Sequence, residues 1–146
     1  MTGMAVAPRI SLVTLAVRDV AVSEAFYRAL GWEVVISADD GFRLFRTSGA
    51  FLTLWPAETM WADGDIPPPA EPRFGGILLA MNLDSPADVD EAIATAVAAG
   101  GTIVRPVRAL EWGMYDGHVA DPDGHVWEIA YNPDWEIGPD GRPVIS

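Results

Sequence analysis

The sequence predicts an α+β fold built from two βαβββ modules that form an open, incompletely closed barrel. Three observations carry this. A strand–helix–three-strand pattern occurs twice along the chain. A Pro/Gly-rich stretch, residues 56–73, separates the two copies. Turn chemistry sits at the joints between the predicted elements.

Residues 10–17 (ISLVTLAV) are a β-branched apolar run and read as the first strand. Asp19 stands where a helix N-cap belongs, and Val22, Ala25, Phe26, Ala29 and Leu30 recur behind it at helical spacing. Gly31 is placed to end that helix in the left-handed conformation. Residues 32–36 begin a second strand, and Asp39-Asp40-Gly41 is a turn. Residues 42–47 and 50–55 form a hairpin around Ser48-Gly49.

Residues 56–73 then break the pattern. They hold Pro67-Pro68-Pro69, Gly64 and several acids without periodicity, and read as a linker or surface loop. Met60 and Trp61 inside it point to a segment that folds back onto something apolar. Residues 76–83 restart the series as an apolar strand. Ser85 is an N-cap with Pro86 at the first helical position, and Val89, Ala92, Ile93, Ala96 and Val97 form a stripe closed by Gly100-Gly101. Residues 102–107 are a strand, and 117–121 and 125–131 make a hairpin around Pro122-Asp123-Gly124. A polar tail follows Asn132, with Trp135 and a turn at Pro139-Asp140-Gly141. The whole reads as a single domain over 8–146: module one about 8–58, a linker about 59–73, module two about 74–134 and a tail 135–146.

Composition narrows the function. Half of the 146 residues are hydrophobic, enough for a substantial core. There is no cysteine, which removes disulfides, zinc-thiolate sites and cysteine nucleophiles. All nine basic residues are Arg, so a lysine Schiff base is excluded. The net charge of −12 disfavours nucleic acid as a partner. That charge would steer cationic ligands, or it simply keeps the surface solvated. No apolar run is long enough to span a membrane, and residues 1–8 lack the basic leader of a signal peptide. The expected location is cytoplasmic.

Several motifs carry a family resemblance over roughly residues 10–133. They are Val17-Arg18-Asp19, Ser23-Glu24-Ala25-Phe26-Tyr27, Leu30-Gly31-Trp32 and, most specific, Asp121-Pro122-Asp123-Gly124-His125-Val126-Trp127-Glu128-Ile129. With the internal repeat they make the chain similar to the vicinal oxygen chelate superfamily, which includes glyoxalase I, bleomycin-resistance proteins and dioxygenases. In metal-dependent relatives, a divalent ion is held by one ligand from the first and one from the last strand of each half. The resemblance places those ligands at Leu12, near Thr53, near Gly76 and at Glu128. Only Glu128 can ligate a metal as a carboxylate, so neither metal nor cofactor is expected. An alternative set of His118, His125 and Glu128 is opposed by strand alternation, which sends His125 and Glu128 to opposite faces.

Two readings of function stand side by side. In the first, the protein binds a small molecule without a metal, in the manner of bleomycin-resistance proteins. The ligand is flat and aromatic, neutral or cationic, and is held by Trp112, Tyr115, Glu128, Leu12, Thr53, Trp55, Met60 and Trp61. In the second, the chain is a metal-independent isomerase, lyase or cyclase with Glu128 as acid or base. Glu128 also reads as a structural carboxylate paired to an Arg, and most of the aromatics as core. Open sheet edges in each half lead to the expectation of a homodimer.

Overall fold

The structure, a computed structural model, describes residues 5–63 and 75–145. Its order is β1 (Leu12–Val17), α1 (Val20–Ala29), β2 (Val34–Ser37), β3 (Arg43–Phe45), β4 (Phe51–Pro56), α2 (Ala57–Asp63), β5 (Leu79–Asn82), α3 (Pro86–Ala98), β6 (Thr102–Ala109), β7 (Tyr115–Ala120) and β8 (Val126–Tyr131). The two predicted modules are present. Each forms a four-stranded sheet, ordered β1-β4-β3-β2 in sheet A and β5-β8-β7-β6 in sheet B. In each, the first strand pairs in parallel with the last, and the other neighbours are antiparallel. The sheets stay open and do not close into a barrel.

The local reasons are those expected of the residues. Asp19 accepts hydrogen bonds from the amides of Ala21 and Val22 at the start of α1. Ser85 accepts from the Asp88 amide at the start of α3, with Pro86 just inside. Gly31, at φ +90°, turns the chain out of α1.

Helix spacing and strand alternation send the same kind of side chain inward from both modules. Leu15, Val17, Phe26, Phe45, Leu52 and Leu54 of module one share one core with Val89, Ile93, Val119, Trp127 and Ile129 of module two. Each sheet therefore has one face turned to helices and core, and a second face turned away from them.

The modules are tied together at the turn between β7 and β8. Asp121, which is buried, accepts a hydrogen bond from the Tyr27 hydroxyl at 2.6 Å. Its other oxygen accepts from the amides of Asp123 and His125, at 2.9 Å each. The Trp127 indole donates to the same Tyr27 oxygen at 3.1 Å. Outside this network, Arg18 donates to Asp123 and to the Pro122 carbonyl, and His125 donates to the Ala16 carbonyl. Burial first, and then the Asp121 carboxylate, push the Tyr27 hydroxyl well above the ordinary tyrosine range, so it stays a donor.

Two expectations about elements are corrected. The stretch read as loop from residue 56 begins with α2. Seven residues are too few for a hydrophobic period to register, although Ala, Glu and Met favour helix and Ala57 is buried. Met60 and Trp61 lie half-buried on that helix, and Gly64 and Pro67-Pro68-Pro69 lie outside the described residues. Strand β7 starts at Tyr115, two residues before its expected start, which brings Asp116 into the sheet.

Tyr27→Phe removes the hydroxyl and nothing else. It leaves one buried Asp121 oxygen and the Trp127 indole without that partner. The expected loss is about 1–3 kcal/mol of stability, read as a lower urea midpoint with an unchanged slope. An unchanged midpoint would show that the tie does not hold the modules together.

Candidate functional site

The concave face of sheet B carries a cluster of ionisable side chains. Register sets its members. His118 lies opposite Glu128 on adjacent strands, and Asp116 lies opposite Ala130. Period-two alternation puts Asp116, His118 and Glu128 on one face, away from the buried Gly117, Val119, Trp127 and Ile129. The His118 Nε2 and Glu128 Oε2 atoms are 3.3 Å apart, and both side chains are half-buried.

Edge strand β6 adds two arginines. Residues three apart on a regular strand face opposite ways. Here the ladder is irregular between Arg105 and Arg108, around Pro106, and both guanidinium groups reach Asp116. Arg105 Nη2 donates to Asp116 Oδ2 at 2.7 Å, and Arg108 Nε lies 3.6 Å from Oδ1. Asp116 Oδ1 is buried and accepts no hydrogen bond.

The other predicted site residues lie elsewhere. Leu12, Thr14, Phe51, Thr53 and Trp55 share the concave face of sheet A, by their register. Leu12 and Phe51 are exposed there. Thr53 is fully buried and donates within the sheet, to Thr14 Oγ1 at 2.6 Å and the Val13 carbonyl at 3.3 Å. Tyr115 is separated from Glu128: one strand position before Asp116, it faces the helices, and its hydroxyl donates to Asp90 of α3. Trp112 is exposed in the turn between β6 and β7. His125 is committed to the tie with Ala16 and stands apart from Glu128. Glu128 pairs with His118 rather than with the Arg that the structural reading of the sequence supplied.

The sequence reading missed Asp116, Arg105 and Arg108. Starting β7 at Gly117 left Asp116 outside the strand. The pairing of Arg105 and Arg108 depends on an irregularity that periodicity does not show.

The ligand positions of metal-dependent relatives do not fit a divalent ion here. Leu12 has no donor, Gly76 has no side chain, and the Thr53 hydroxyl is buried and occupied. Asp116, His118 and Glu128 do bring donor atoms within 4.8 Å of one another. Two guanidinium groups already neutralise Asp116, however, leaving one imidazole and one carboxylate where about three protein ligands are needed.

Burial works against the charged form of Asp116. The Arg105 hydrogen bond, the neighbouring Glu128 side chain and the charges of Arg105 and Arg108 outweigh it, holding Asp116 below its ordinary value of 3.8. A lowered folded-state value contributes stability above pH 3.8 that is lost as pH falls through the lower value. The stability difference between the wild type and Arg105→Gln should therefore be largest above about pH 4 and shrink below it. Urea titrations across pH read this directly, and a pH-independent difference would refute it.

Comparison with known proteins agrees with this architecture. The profile of the Glyoxalase/Bleomycin resistance protein/Dioxygenase superfamily matches residues 9–129. A glyoxalase-related enzyme from Fulvimarina pelagi is 33% identical over 96% of this chain and 99% of its own, with a TM-score of 0.85. A glyoxalase/bleomycin resistance protein/dioxygenase from Nocardioides is 26% identical over 88% of this chain and 85% of its own, at 0.70. A lactoylglutathione lyase from Agrobacterium tumefaciens is 25% identical over 86% and 95%, at 0.64. No curated protein sequence matches significantly. With a profile match over most of its length, the chain belongs to the glyoxalase/bleomycin resistance/dioxygenase superfamily.

Proposed function

We propose that the protein binds a small organic molecule, without a metal, on the concave face of sheet B, with Glu128 and His118 as its polar anchor. The observation that carries this is the half-buried His118–Glu128 pair facing outward among small neighbours. Ala80 lies opposite Glu128 on one side and His118 on the other, and Ala130 lies opposite Asp116. The two arginines offset the two carboxylates of the cluster. A flat, neutral ligand with both donor and acceptor groups therefore suits this face better than a cation. Trp112 on the β6–β7 turn is the aromatic group that remains available to it.

A second reading rests on the same pair. A histidine ring nitrogen held 3.3 Å from a carboxylate oxygen has the make-up of an acid–base couple. In that reading, His118 and Glu128 relay a proton for a metal-independent isomerase, lyase or cyclase. The 33% identical relative is described as a glyoxalase-related enzyme, which favours keeping this alternative.

In this reading a second copy covers the site. The concave face of sheet A leaves Leu12 and Phe51 exposed, and β1, β2, β5 and β6 are edge strands. Exposed apolar side chains beside unpaired edges are relieved by pairing. A dimer that lays the apolar face of one copy over the ionisable face of the other would enclose the ligand.

Glu128→Gln keeps the shape and removes the charge. It should melt like the wild type yet weaken binding of neutral bicyclic aromatics about tenfold or more in a tryptophan-fluorescence titration. The same purified protein should hold no stoichiometric divalent metal by elemental analysis. Unchanged affinity, or about one metal per chain, would reject the proposed site. Loss of turnover in His118→Gln with binding retained would decide for the acid–base reading.

Light scattering should return twice the chain mass of 15.7 kDa at micromolar concentration. A monomer mass would overturn the dimer.

A further inference from the structure

The seam between the modules holds a cavity on the helix side of the sheets, on the opposite face of sheet B from Glu128. It lies between the end of α1, the exposed flank of α3 and strand β5, and its volume is about 460 Å³. That is far more than a packing defect and lies in the range of sites for small organic molecules. Trp32, Trp127 and Met81 contribute its apolar lining. The two indoles meet edge to face at 5.4 Å. Trp127 has already given its N–H to Tyr27, so it presents the cavity with ring surface alone.

Carboxylates also line the cavity. Asp84, Asp88 and Glu91 all take part and all are exposed. Among the described residues none of the three has an ion-pair partner, and no Arg or His contributes to the lining. This differs from the cluster on sheet B, where Asp116 has two arginines and Glu128 has His118 as partners. Asp88 is explained by the helix it starts, since an acid in the first turn of α3 complements the helix dipole. Asp84 and Glu91 have no such role.

We propose that this seam is a binding site for an organic cation with an apolar body, such as an arylalkyl or alkyl ammonium. The apolar body lies on the indoles and Met81, and the charged end meets the carboxylates. The net charge of −12 steers a cation toward it. An organic anion is excluded by the same charges, and a neutral apolar molecule gains the floor without the rim.

The test uses phenylbutylammonium, phenylbutanol and phenylbutyrate, which share one apolar body and differ in charge. They are titrated against the full-length protein by calorimetry at low and high salt. The ammonium should bind saturably and most tightly, and salt should weaken it. The double variant Asp84→Asn/Glu91→Gln leaves Asp88 at its helix terminus. It should weaken the ammonium about threefold to tenfold and leave the alcohol unchanged. Ala92→Leu, on the cavity wall, should weaken both while the melting temperature stays near wild type.

Glu128→Gln should leave ammonium binding as in the wild type, which separates this site from the one on sheet B. Three results would each overturn the proposal: no saturable ammonium binding to the folded protein, equal affinity for the alcohol and the ammonium, or loss of ammonium binding in Glu128→Gln.

Discussion

The hydrogen bond from Tyr27 to Asp121 joins a helix of one module to the last turn of the other, and much of the structure depends on that join. Asp121 uses one oxygen for this bond and the other to close the turn around Pro122-Asp123-Gly124. A single buried carboxylate thus sets both the packing of the modules and the hairpin that aligns β7 with β8. A buried carboxylate is tolerated because each oxygen has a donor and because the tyrosine hydroxyl does not ionise. The same hairpin alignment places His118 opposite Glu128. The polar pair on sheet B therefore lies in the hairpin whose joining turn Asp121 closes.

Each sheet divides its residues between two tasks. The helix-facing side is filled by both modules into one core, and packing constrains what can stand there. Gly117 is an instance: a Cβ at that position would come within 2.7 Å of Ile93 Cδ1 on α3. The other side stands outside that shared core. In sheet A it is occupied by Leu12, Thr14, Phe51 and Thr53, and in sheet B by Asp116, His118 and Glu128. The two halves have similar folds and opposite surface chemistry. That asymmetry suits a cavity in which one half contributes apolar area and the other contributes polar contacts.

Charge is distributed just as unevenly. The chain is strongly acidic overall, yet its ionisable cluster on sheet B is locally balanced by Arg105 and Arg108. Carboxylates without an ion-pair partner among the described residues lie instead just before α3 and on its first turns, beside the indoles of the seam. Aromatic surface and unbalanced negative charge, which the composition suggests belong to one pocket, are found together on the helix side and not around Glu128.

The repeat, both helix caps, the turn at Pro122-Asp123-Gly124 and the inward-facing stripes were legible in the sequence because each is a local signal, repeated at a period of 3.6 or 2. Partnership across strands was not. Asp116 joins His118 and Glu128 only because β7 begins at Tyr115, and Arg105 and Arg108 reach it only through an irregular ladder around Pro106. Tyr115 and Trp112 lie close together in sequence, but strand alternation turns Tyr115 toward Asp90 and the turn leaves Trp112 in solvent. The residues able to carry chemistry were determined by the sequence. Which of them meet was decided by register and by the packing of one module on the other, because contacts between distant segments depend on the relative position of whole elements, to which no local pattern is sensitive.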